Sequence, residues 1–253
     1  MASNAKSRRI LIGALALVIV VCLVGAVIAL VHQPEKDSAD EASPTASPSA
    51  TATDQAAPKQ AADAVQIIKA AARNDPKDPR AKGKIDAPVL MIEMSDYSCP
   101  MCAAYYANVM PKLEPLVKDG TLRIEFHDYA IFDSKYNSSL GAVGGIAAAD
   151  QGKFWEYLAA AEKLSLSEHP TWNTDLAVQV ATEAGVPDLD KFRAGLEDAD
   201  ALQKVRAEKE EIASWGVQGT PAFFINDRFI TGAQDPQVFL DTIKAAKADG
   251  RNF

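Results

Sequence analysis

Cys99-Pro100-Met101-Cys102 constrains this chain more than any other feature. The apolar run Pro88-Val89-Leu90-Met91-Ile92 ahead of it reads as a buried strand. Ala103-Ala104-Tyr105-Tyr106-Ala107 after it reads as a helix. Two thiols so spaced can close a small, easily reopened disulfide, and a strand ending in CxxC that opens a helix is a redox geometry. The third cysteine, Cys22, lies in an apolar N-terminal segment, so no other soluble thiol competes for the pair.

A cysteine at a helix N-terminus faces unpaired backbone N–H groups and the positive end of the helix dipole. Both favour thiolate, the nucleophile of disulfide exchange, so Cys99 is the expected reactive residue. Pro100 suits the first helical position, where a missing N–H costs nothing. Cys102, one turn further in, is expected to be more buried and to attack the mixed disulfide formed at Cys99. Two bland readings compete. A structural disulfide usually closes a longer loop. Zinc needs two further ligands, and His127 and His169 do not form a pair with ligand spacing.

From residue 88 onward, strand and helix patterns alternate. Val89–Met94 and Thr121–Tyr129 read as strands. In the second, Leu122, Ile124 and Phe126 alternate with Arg123 and Glu125. Cys99 to about Lys118 reads as one helix kinked at Pro111. Helices are predicted over 137–151, 154–164, 174–184, 189–196 and 201–214, with Asn173 or Thr174 and Asp188 as N-caps. Strands return at 222–225 and 229–231 around the turn Asn226-Asp227-Arg228, and a helix over 235–248 ends the chain. The two halves of one small sheet therefore bracket a helical insertion at about 137–214. Residues 61–253 form this domain, with a short first helix over 61–73.

Ile10 to Val31 carries no charge. As a helix it would span about 33 Å, enough for a bilayer core. Lys6, Arg8 and Arg9 precede it within residues 1–9, and Glu35 and Asp37 follow, so the positive flank is expected to be cytoplasmic and the domain outside. Its length favours a retained anchor over a cleaved signal peptide, which stays an alternative. Residues 32–60 are rich in Ser, Pro, Thr and Ala and read as a disordered stalk. The three N-terminal cations are the only charges before residue 32, and the whole chain carries −8. The outer domain is thus strongly acidic, which argues against a nucleic-acid partner.

Gly219-Thr220-Pro221 stands just before the apolar run Ala222-Phe223-Phe224-Ile225. With Cys99-Pro100-Met101-Cys102, this Thr-Pro makes the chain resemble thioredoxin-fold proteins, and more narrowly the DsbA-like disulfide oxidoreductases, which carry a helical insertion. Asp86-Ala87-Pro88-Val89, Ser95-Asp96-Tyr97-Ser98-Cys99-Pro100, Gln151-Gly152-Lys153-Phe154-Trp155 and Val217-Gln218-Gly219-Thr220-Pro221-Ala222-Phe223 are similar to the membrane-anchored, extracytoplasmic branch of Gram-positive bacteria. The resemblance covers roughly 75 to 250 and implies an α/β, thioredoxin-like fold.

The resemblance also implies roles. Cys99 matches the nucleophile, Cys102 the resolving cysteine and Pro221 the cis-proline beside the active disulfide. The backbone of Thr220, next to Gly219, would pair with an extended substrate, and Pro100 and Met101 would border it. Glu93 matches a buried acid able to exchange the proton of Cys102; the plain alternative is a strand residue facing solvent. Met101 stands where strongly oxidising members often carry His, so a weaker oxidant is expected. His127 reads as a surface or core histidine. The implied activity is extracytoplasmic thiol–disulfide exchange, with oxidation of exported proteins favoured by the compartment. A membrane re-oxidant of the DsbB or VKOR type is the implied partner. No metal or organic cofactor is implied, and a monomer is expected. A reductase or isomerase, or a surface-anchored binding module with a structural CxxC disulfide, are the alternatives.

Overall fold

The computed structural model describes residues 57–250. The expected anchor at 10–31 and most of the expected stalk lie outside them. Among the described residues no helix is long and apolar enough to cross a membrane. Helix α1 (Ala57–Ala71) begins inside the predicted stalk rather than after it. Pro58 falls in its first turn, where a missing N–H is tolerated. Strand β1 (Ala81–Lys82) follows, too short to show any sequence period, and then β2 (Val89–Ser95).

The predicted single helix after Cys99 is two helices, α2 (Pro100–Asn108) and α3 (Met110–Lys118), divided at Val109. Pro111 has no N–H to return to the preceding turn, so the hydrogen-bond ladder stops and restarts with proline in the first turn of α3. Strand β3 (Leu122–Asp128) comes next. The insertion then holds α4 (Asp133–Tyr136), α5 (Ser138–Ala149), α6 (Phe154–Ser165), α7 (Thr174–Glu183), α8 (Leu189–Leu196) and α9 (Ala199–Ser214). Asn173 and Asp188 cap α7 and α8, their side chains accepting from the N–H groups of Leu176 and Lys191. Asp198 caps α9 and starts it ahead of the predicted Ala201. Strands β4 (Ala222–Ile225) and β5 (Arg228–Thr231) form the hairpin, and α10 (Pro236–Ala248) closes the fold.

The sheet order is β1-β3-β2-β4-β5. β2 and β3 are parallel, and the other pairs are antiparallel. Central strand β2 is buried along its whole length, and the sheet faces alternate with residue parity. Val89 and Met91 face Tyr105, Leu113, Phe223, Phe239 and Ile243, contributed by α2, α3, β4 and α10. Leu90, Ile92 and Met94 face Ala64, Ile68 and Ile212, contributed by α1 and α9. A third core, including Tyr157, Trp172 and Phe192, fills the helical insertion and reaches the sheet through Phe126.

The alternation predicted for β3 is present, but its polar face is not open to water. All of β3 is buried. The Arg123 Nε donates to Glu125 at 2.9 Å, Glu125 accepts the Arg73 N–H at 2.8 Å, and the Arg123 guanidinium also donates to the Asp75 carbonyl at 2.8 Å. The segment between α1 and β1 thus covers that face with satisfied polar groups.

Candidate active site

Cys99 occupies the N-cap of α2 with extended backbone (φ −97°, ψ 113°), and Pro100 opens the helix. The loop before it is tightly held. The Asp96 carboxylate accepts from the Ser98 N–H at 2.7 Å, the Phe132 N–H at 2.9 Å and the Ser138 hydroxyl at 2.9 Å, while the Cys99 N–H donates to the Asp96 carbonyl at 3.0 Å. His169 bonds the Ser98 carbonyl through Nδ1 at 2.6 Å and stacks on Tyr136, with centroids 4.7 Å apart. Tyr97 sits edge-on to Phe126 and Trp172 and lies against Gly145 of α5, where a Cβ would collide with its hydroxyl. The insertion therefore positions the turn that delivers Cys99. Asp96 and His169 were missed as site-building residues because the bonds from Asp96 to Phe132 and Ser138, and from His169 to Ser98, cross long stretches of sequence; the local Asp96–Ser98 turn was the available signal.

Both cysteines are free thiols, with Cys99 3% and Cys102 0% exposed. Their chemistry diverges. A hydrogen bond from Cys102 lowers the Cys99 thiol from 9.0 to about 6; burial opposes this, and Thr220 and the N–H groups of Cys102 and Met101 add to it. Burial raises the Cys102 thiol well above its usual value, with Cys99 and then Glu162 adding to the rise and Ser95 opposing it. Met101 is half exposed and supplies no charge. The helix start and Cys102 stabilise the thiolate without an imidazolium.

Opposite the pair, the Thr220–Pro221 bond is cis. The Cys99 thiol donates to the Thr220 carbonyl at 3.4 Å. Gly219 and Thr220 are partly exposed, while Pro221 is buried ahead of β4. The structure thus gathers Cys99, Pro100, Met101, Cys102, Thr220 and Pro221 at one end of the sheet. Glu93 is fully buried in β2, beside Phe126 of β3 and Phe223 of β4. Strand parity turns it toward the α2 side, and neither carboxyl oxygen has a hydrogen-bond partner. Burial raises its carboxyl from 4.5 to about 8, with Lys82 opposing. The solvent-facing reading of Glu93 is excluded.

His127 lies elsewhere in function: its Nδ1 is 2.9 Å from the Glu208 carboxylate of α9. Among the described residues, no group of three or more His, Cys, Asp or Glu side chains is arranged to hold a metal ion. A second buried acid, Glu162 of α6, was missed. The available signal was its place on the apolar stripe of that helix, after Phe154, Leu158 and Ala161.

The sequence model of the Thioredoxin family matches residues 74–245. The chain belongs to the thioredoxin family. Within it the domain is DsbA-like. "Probable disulfide bond formation protein D" of Bacillus anthracis is 28% identical over 149 residues, covering 57% of this chain and 68% of that one. The crystal structure of oxidised BdbD from Bacillus subtilis superposes with a TM-score of 0.62 at 21% identity, over 69% of this chain and 95% of that one. The α-DsbA1 of Wolbachia pipientis superposes with a TM-score of 0.58 at 22% identity, over 68% and 92%. The family match at residues 74–245 spans both halves of the sheet and the insertion between them.

Proposed function

We propose that this DsbA-like thiol:disulfide oxidoreductase forms disulfides in exported proteins from outside the membrane, held there by the apolar segment 10–31. The observation that carries the reading is the split between the two thiols. Cys99 starts a helix and is lowered to about 6, while Cys102 is buried and raised. A substrate thiolate attacks Cys99 Sγ of the disulfide form. The Cys99–Cys102 bond breaks, a Cys99–substrate disulfide forms, and Cys102 takes the electron pair and a proton. A second substrate thiolate then attacks the substrate sulfur and expels Cys99 as a thiolate. A low thiol pKa makes Cys99 a good leaving group, which favours release of oxidised substrate.

The partly exposed Gly219-Thr220 segment and the Cys99 contact to the Thr220 carbonyl support docking of an extended peptide beside the pair. Pro221 fixes that segment, and Pro100 and exposed Met101 border it. Glu93, buried on the α2 side of the sheet, serves as a proton reservoir for Cys102. The pair would be re-oxidised by a membrane enzyme of the DsbB or VKOR type, a role taken from family likeness. The positive flank at Lys6, Arg8 and Arg9 supports the outward topology.

Refolding of reduced, denatured ribonuclease by the oxidised protein tests the reading. The parent chain restores ribonuclease activity, and Cys99→Ser loses at least about a hundredfold in rate, since no other group replaces the nucleophile. A Cys99→Ser protein that refolds ribonuclease as well as the parent would leave only a binding module.

A further inference from the structure

Glu162 is 2% exposed, and neither of its carboxyl oxygens has a hydrogen-bond partner. An ordinary buried polar atom left so costs about 1–3 kcal/mol, and retaining two in one side chain needs a reason. Glu162 lines a pocket of about 280 Å³ between α2 and α6, shared with Ala103, Tyr106, Ala107, Lys163 and Leu166. Ala103 is the residue after Cys102, and Tyr106 lies one helical turn beyond Cys102 on the same face of α2. The Tyr106 hydroxyl is also buried without a partner. Leu166 at the rim is exposed, so the pocket reaches solvent. At about 30 Å³ per molecule, such a space holds several waters.

We propose that Glu162 is a second buried acid of the redox site, which hands a proton through pocket water and the Tyr106 hydroxyl to Cys102 as the Cys99–Cys102 disulfide opens. The inference rests on the oxidoreductase reading and adds to it a second source, beside Glu93, for the proton that Cys102 takes. The incoming thiolate forms a bond to Cys99 Sγ, and the electron pair of the broken bond goes to Cys102 Sγ. Cys102 takes the proton of the Glu162 carboxyl, which regains one from solvent through the pocket mouth. Glu162 acts on the proton and not on sulfur, so it is a positioning residue.

The surroundings favour the protonated form of that carboxyl. Burial raises it well above 4.5, and Glu93 of β2, Cys99 of α2 and Asp96 of the preceding loop add to the rise. Were it ionised, its charge would in turn raise Cys102 and Tyr106. Helix α5 brings no charged side chain. Lys163, the cation next in sequence, is held by Glu183 of α7 at 3.0 Å. The influences on Glu162 are therefore burial and other acids, and both favour the protonated carboxyl.

The test is the rate at which dithiothreitol opens the disulfide of the purified full chain between pH 5 and 10, corrected for the thiolate fraction of the reagent. The corrected rate of the parent falls toward alkaline pH as the acids lose their protons. Glu162→Gln slows opening near pH 7 by about tenfold, less than the roughly hundredfold typical of a lone positioned acid because Glu93 remains. The deficit shrinks above pH 9, and Cys99 alkylation is unchanged. Glu162→Leu, which matches the apolar lining, gives the same result if the amide folds poorly. Superposable profiles, or an equal slowing at every pH, overturn the proposal. A parent protein that never exchanges its disulfide overturns the oxidoreductase reading itself.

Discussion

Replacing Glu208 with alanine is expected to cost about 3 kcal/mol of stability at pH 7, the low end of the range for breaking a buried ion pair, because the network is partly buried. Glu208 of α9 is the hub of a network that joins three parts of the chain. It lies 3.1 Å from Arg80 and 3.5 Å from Arg73, both in the segment that leads from α1 into the sheet. It lies 2.9 Å from His127 and accepts the Asp128 N–H at 3.1 Å, both at the end of β3. Burial alone would raise this carboxyl, but His127, then Arg80 and Arg73, outweigh it and hold the group far below the usual carboxylate range. A carboxylate depressed in the folded state contributes stability that is present above its unfolded value of about 4.5 and is lost as pH falls through its folded value. Urea unfolding at pH 7 and pH 3 checks this: the alanine variant is much weaker at pH 7, and the gap narrows in acid. A loss below about 1 kcal/mol at pH 7 would make the network no better than a surface pair.

Replacing Glu93 with leucine is expected to do the opposite. The variant gains about 3 kcal/mol at pH 7 and becomes a slower oxidoreductase. Glu93 has no hydrogen-bond partner, and burial raises its carboxyl to about 8. The unfolded chain ionises this group near 4.5, while the folded chain keeps the proton until about 8. Stability is therefore full below pH 4.5 and is lost as pH rises through 8, with about 3 kcal/mol gone by pH 7. Leucine removes that loss, and with it the proton reservoir, a trade of activity for stability common at buried functional acids. Unfolding at pH 4.5 and pH 7 shows a gain concentrated at pH 7. A parent whose stability is flat between those values contradicts the assignment.

The two acids mark where the sequence could and could not be read. Glu93 was legible because it interrupts an apolar strand six residues before Cys99. Glu162 follows a run of alanines in an ordinary amphipathic helix, and only its folded neighbours reveal that it is close enough to act electrostatically on Cys102. Cys99, Pro100 and Cys102 were legible because a helix start is a local feature. Thr220 and Pro221 became so only through family likeness, since nothing local brings residue 220 to residue 99. Long periodic helices and the hairpin followed from their patterns and caps. Strand β1 had no period to show, and the kink expected at Pro111 is a full break at Val109. The burial of Arg123 and Glu125 was equally hidden: their cover comes from Arg73 and Asp75, which sequence alone reads as a loop.

The central claim is that Cys99 is a thiolate at neutral pH while Cys102 is not. Alkylation of the reduced full chain by iodoacetamide across pH 4–10, with each site read by mass spectrometry, tests it most directly. Cys99 should react half-maximally near pH 6 and Cys102 should stay unmodified throughout, following the lowered and raised thiols. A Cys99 rate still climbing toward pH 9, or equal modification of both sulfurs, would contradict the account.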